Sequence, residues 1–144
     1  MKFSVRTLSM VATCALMLAG CASGPGGKSN AGAAPEIRAM ERWSYLIERN
    51  SDKAYDYLSP GKRGVETREA YAETMNNRPV RWTKATFMKK TCGTPNACVV
   101  TLQIDLSVPV AGMGGASASL TFVEESWIRD KDGKWYYLGA ASKS

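Results

Sequence analysis

The sequence predicts an α+β domain in which helices pack on one face of a curved antiparallel sheet of about four strands. Three observations carry this expectation. Between Pro35 and Pro79 apolar residues recur at spacings of three and four, the period of a helix lying on a core. From Val80 onward the period changes to two, the alternation of a half-buried strand. Pro-, Gly- and Asp-containing clusters interrupt the second half, so the strands read as a meander following the helices.

The chain begins with a segment that belongs to no domain. Lys2 and Arg6 precede Leu8–Ala19, an apolar stretch broken only by Ser9 and Thr13. That is the length of a signal-peptide core, and short of the roughly 20 apolar residues that span a bilayer. It ends in Leu18-Ala19-Gly20-Cys21, which resembles the bacterial lipobox at all four positions. The resemblance implies export, cleavage of residues 1–20, and attachment of diacylglycerol to the Cys21 sulfur with acylation, such as palmitate, of its new amino group. Several acyl chains anchor firmly where one does not, because each buried methylene contributes about 0.8 kcal/mol. Ala22 stands where an Asp would signal retention at the inner membrane, so the expected location is the outer membrane, facing the periplasm.

Residues 21–34 are the lipidated cysteine and a run dominated by Gly, Ala and Ser, which cannot bury enough apolar surface to fold. As a flexible tether it would span roughly 20 Å. The domain is expected over 35–144. Pro35 suits a first helical position, and Ile37, Met40, Trp43, Leu46 and Ile47 form the stripe of a helix ending near Asn50. Ser51 can cap a second helix carrying Ala54, Tyr55 and Leu58, which Pro60 and Gly61 are expected to stop. Thr67 can cap a third, with Tyr71 and Met75 one turn apart and Asn76, Asn77 and Pro79 closing it.

The first strand follows from Val80. Cys98, Val100, Leu102, Ile104 and Leu106 mark one face of the second, Val108–Gly115 is expected to be a connection, and Ala116–Ile128 forms the third. Asp130-Lys-Asp-Gly133 turns into a fourth over Lys134–Leu138. Arg81, Lys84, Lys89 and Lys90 make a basic strand edge, suited to blocking edge pairing or to meeting an anion.

Composition excludes much chemistry. Cys14 leaves with the signal and Cys21 is consumed by lipid, so Cys92 and Cys98 remain; in an oxidising compartment they are expected to pair across the turn Gly93-Thr-Pro-Asn96. The chain contains no histidine. A Cys/His zinc site and every Ser-His or Cys-His nucleophile are therefore unavailable, and neither a metal nor a cofactor is expected. Ser59-Pro-Gly-Lys62 matches S-x-x-K, but Pro60-Gly61 favours a turn and no S-D-N or K-T-G follows. Gly112, Gly114 and Gly115 lack the ending of a phosphate loop. Loss of Lys2 and Arg6 lowers the formal charge from +6 to +4. Outside the cytoplasm that balance suits anionic polymers or lipid head groups better than nucleic acid, and serves solubility equally.

The helix with Trp43, the run Ala54-Tyr-Asp-Tyr-Leu-Ser-Pro-Gly-Lys62, and Glu125-Ser-Trp127 before Asp132-Gly-Lys-Trp135 resemble the NTF2-like, or SnoaL-like, cone fold of small proteobacterial lipoproteins over residues 35–144. The resemblance implies a pocket between the concave sheet face and the helices, where enzymes of the group place an Asp, His or Tyr. The candidates here are Glu124, Tyr57 and Tyr71; Asp105 has the parity of a solvent face. Glu124 shares parity with Leu120 and Phe122 and could be buried with them. Trp127 has the opposite parity, so a bulge near Glu124 and Glu125 could exchange the faces. Tyr55, Tyr71, Trp82 and Trp127 can line a pocket or interface, or simply fill the core. The expected function is a tethered binding module whose partner is an envelope protein, a lipid or a peptidoglycan fragment; the rival is a small cofactor-free enzyme.

Overall fold

The computed structural model describes residues 32–112 and 114–142. The expected signal segment, Cys21 and most of the expected tether lie outside the described residues. Four helices come first: α1 (Pro35–Ile47), α2 (Ser51–Tyr55), α3 (Pro60–Val65) and α4 (Arg68–Asn76). Four strands follow: β1 (Arg81–Thr94), β2 (Ala97–Val110), β3 (Gly115–Arg129) and β4 (Trp135–Ala140). They form one antiparallel sheet in the order β1-β2-β3-β4, the expected meander. No helix among the described residues is long and apolar enough to cross a membrane.

Helix α1 lies across the sheet and buries Ala39, Trp43 and Leu46 against Val100, Leu102 and Ile104 of β2, all three fully enclosed. Its stripe is rotated from the expected one: Ile37 is 46% exposed, while Arg38 and Arg42 point inward at 4% each. Pro35 opens the helix as expected. Helix α4 begins at its Thr67 cap, whose hydroxyl accepts from the Ala70 N–H, and packs on α2 through the Tyr55 and Tyr71 rings, 5.7 Å apart.

Two local expectations fail for identifiable reasons. Pro60-Gly61 does not stop a helix; it starts α3, because Pro at the first helical position loses no hydrogen bond, and Ser59 caps it by accepting from the Lys62 N–H. Val108–Gly115 is not simply a connection, since β2 continues through Pro109 to Val110 and pairs with β3 down to Gly115. Proline is tolerated there because β1 ends opposite Ser107, leaving that side of β2 without a neighbour.

The cysteine expectation holds: Cys92 and Cys98 face each other across the β1–β2 hairpin and form a disulfide. Gly133, at φ +79°, closes the β3–β4 turn by donating its N–H to the Asp130 carbonyl. Strand β4 is fixed to the helical layer where the Tyr137 N–H donates to the Tyr57 carbonyl at 2.7 Å and the Ser59 N–H donates to the Tyr137 carbonyl at 2.9 Å. Register shifts at three places along β1 add twist and help curve the sheet around α1.

Candidate functional site

The centre of the domain holds a buried ion pair. Side chains alternate along β3, so Val123, Glu125 and Trp127 share the core face, while Leu120, Phe122 and Glu124 face outward. The β2–β3 register is unbroken here, so no bulge is needed to turn Trp127 inward. Glu125 is only 3% exposed. Its Oε1 accepts from Arg42 Nη1 at 2.9 Å and from Trp43 Nε1 at 2.8 Å, and its Oε2 accepts from Trp127 Nε1 at 3.1 Å.

Arg42 is equally enclosed. Its Nη2 donates to the Tyr71 hydroxyl at 3.2 Å, the Tyr137 ring covers the guanidinium at 3.9 Å, and Nε has no partner. Burial opposes the charge on Arg42, but the Glu125 carboxylate and the Tyr71 and Tyr137 phenols outweigh it and hold the group charged above its ordinary range. Burial raises the Tyr137 phenol above its ordinary value, against the pull of Arg42. Arg38, one turn earlier, donates from Nε to the Trp135 carbonyl at 2.6 Å and stacks on the Tyr57 ring at 4.5 Å.

An open cavity of about 170 Å³ lies against this pair. Trp43, Leu46, Met75, Trp82 and Val123 give it apolar walls, with the exposed Arg78 and Glu124 also on its lining. Trp82 meets Trp43 edge to face at 5.1 Å and carries the Arg78 guanidinium 5.4 Å from its centroid.

Other sequence-derived candidates take different positions. Glu124 is exposed and not the buried acid that its strand parity allowed. Tyr57 donates its hydroxyl to Glu41 Oε2 at 3.1 Å, and burial together with that carboxylate pushes its phenol above the ordinary range. Tyr71 and Trp127 are core residues at 2% and 0% exposure that hold Arg42 and Glu125. Tyr55, also buried, donates to the Glu66 carbonyl at 2.7 Å and ties α2 to the end of α3. Of the four aromatic candidates only Trp82 lines the cavity. Asp105 is half-buried and accepts from Gln103 Nε2 at 2.9 Å. Ser59 and Lys62 do sit one turn apart at a helix start, yet Ser59 is buried as a cap and the Lys62 ammonium lies 5.6 Å from the Tyr137 ring centroid.

The residues missed from sequence are Arg38, Arg42 and Glu125. A signal was present: Glu125 shares the parity of Trp127, and Arg42 is placed between Ala39 and Trp43 on the helix stripe. Charge type argued against burial in each case. Chemically, Glu125 is a poor proton carrier, since both of its oxygens are already engaged by three donors.

No family model and no curated protein matches the sequence. Solved structures do match. A SEC-C motif-containing protein from Psychrobacter arcticus aligns at 13% identity and a TM-score of 0.55, over 78% of this chain and 64% of that one, so this chain spans less than two thirds of it. A Catenulispora acidiphila protein in complex with S-DNPA aligns at 14% identity and a TM-score of 0.50, over 74% of this chain and 88% of that one. An NTF2-like protein involved in plasmid conjugation aligns at 15% identity and a TM-score of 0.40, over 72% of this chain and 50% of that one. At such identities the likeness of the first two establishes the fold alone: helices first, then a curved four-stranded antiparallel sheet.

Proposed function

We propose that this chain is an envelope lipoprotein, held on the outer membrane through Cys21, whose NTF2-like domain works by binding. The cavity beside Trp43 and Trp82 takes an apolar group about one aromatic ring in size, offered by an envelope protein, a lipid or a peptidoglycan fragment. The observation that carries this reading is the engagement of Glu125 by three donors, which occupies both oxygens of the buried carboxylate at the cavity floor. Size supports it as well, because an apolar cavity of ~150 Å³ is enough to admit benzene. The Catenulispora protein, a neighbour of this fold, is itself found in complex with S-DNPA.

Proton transfer, the rival role, would fall to Glu124 at the cavity lining. The test compares Glu124→Gln with Trp82→Ala and Met75→Ala for an envelope phenotype such as detergent sensitivity, after each variant is shown to fold. Binding predicts loss with the cavity-wall variants and retention in Glu124→Gln; the reverse pattern supports the enzyme. Labelling with a radioactive fatty acid addresses the anchor separately: wild type should be labelled and Cys21→Ser should not, and an unlabelled wild type ends the claim.

A further inference from the structure

The sheet has two free edges, and they are built differently. Strand β1 carries Arg81, Lys84, Lys89 and Lys90 and three register shifts against β2, features that discourage another strand from adding. The other edge is formed partly by β4, which is short. Its ladder with β3 starts at Glu125, and the last bond is the Ala141 N–H donating to the Glu124 carbonyl at 2.8 Å. Among the described residues, β3 therefore has a neighbour on one side only from Gly115 to Val123.

This open stretch has none of the protection seen on β1. No residue from Leu106 to Val123 carries a charge, β3 contains no proline, and its pairing with β2 runs without a register shift. Leu120 and Phe122 are 55% and 58% exposed. Backbone groups alternate sides along a strand. Since the Glu124 carbonyl faces the β4 side, the N–H and C=O groups of Phe122, Leu120, Ala118 and Ala116 face the open side.

We propose that this edge pairs antiparallel with the same edge of a second copy, about a twofold axis at Leu120. The domain is net positive, so a neutral surface brings two copies together without opposing like charges, and this segment is neutral throughout. The register is self-complementary. With Leu120 opposite Leu120 of the second copy, each Phe122 falls opposite an Ala118, large against small, and Ser119 falls opposite Thr121. The outward-facing groups of Ala118, Leu120 and Phe122 then meet as hydrogen-bonded pairs, as an isologous contact requires. The pairing does not rest on ligand binding at the cavity, which shares only Val123 with the open stretch.

The test uses the full chain in its membrane. Leu120→Cys should yield a disulfide-linked species of twice the mass on a non-reducing gel, because Cα atoms of a hydrogen-bonded pair lie ~5.5 Å apart, within disulfide reach. Lys89→Cys on the guarded edge should yield none. In native-mass measurements Leu120→Lys and Leu120→Glu should each be monomeric alone and regain the dimer when co-expressed. Cross-linking of Leu120→Cys no greater than that of Lys89→Cys overturns the proposal, as does a product of some other mass or a dimer that survives Leu120→Lys.

Discussion

Replacing Glu125 with Met keeps the side-chain volume but leaves the Arg42 guanidinium charged, buried and without its counter-ion. Removing one member of a buried pair costs about 3–5 kcal/mol, against a total stability of about 5–15 kcal/mol for a domain of this kind. The Trp43 and Trp127 N–H groups would also lose their acceptor. Arg42→Met should cost a similar amount by stranding the carboxylate. The double variant removes both charges and retains only the two orphaned indole N–H groups, at about 1–3 kcal/mol each. At the middle of these ranges its cost should therefore fall about 4 kcal/mol below the sum of the single costs. Urea unfolding followed by tryptophan emission measures all three. Additivity within about 0.5 kcal/mol, or a Glu125→Met cost under about 1 kcal/mol, would refute the claim that this pair organises the core.

Reduction or Cys92→Ser/Cys98→Ser should lower stability by about 2.4 kcal/mol on the chain-entropy relation for a seven-residue loop, and intact mass with and without alkylation should show no free thiol before reduction; free thiols in periplasm-derived protein would exclude the bridge. Tyr57 has its folded-state pKa raised above the ordinary 10.0, by burial and then by Glu41. Its contribution is therefore fully present below pH 10 and lost as pH rises through the folded value; unfolding free energies measured above pH 10 should fall more steeply for wild type than for Tyr57→Phe, and parallel curves would deny the Tyr57 phenol that role.

Where one periodicity governed a segment, the sequence was sufficient. Cys98, Val100, Leu102 and Ile104 alternate with Val99, Thr101 and Gln103 and occupy one buried face of β2; Thr67 caps α4; Cys92 and Cys98 pair. It was less informative where two rules competed. Pro60-Gly61 carries both a turn signal and a first-turn signal, and the Ser59 cap decides for the helix. Along β3 an apolar pair, Leu120 and Phe122, competed with Trp127 for the core face, and the tryptophan won because β4 and α1 cover only the Glu125 end of the strand. The Arg42–Glu125 pair was hidden for a related reason. Burial of a charge depends on a partner 83 positions away along the chain, which local patterning does not report.

The most direct test of binding at the cavity is a benzyl alcohol titration followed by the indole N–H resonances of the four tryptophans. Trp43 and Trp82 line the cavity, whereas Trp135 lies buried elsewhere. The account predicts saturable shifts at Trp43 and Trp82, abolished when Met75→Trp fills the space, with Trp135 unmoved. Shifts of equal size at all four indoles, or none at Trp43 and Trp82 up to the solubility limit of the probe, would contradict it.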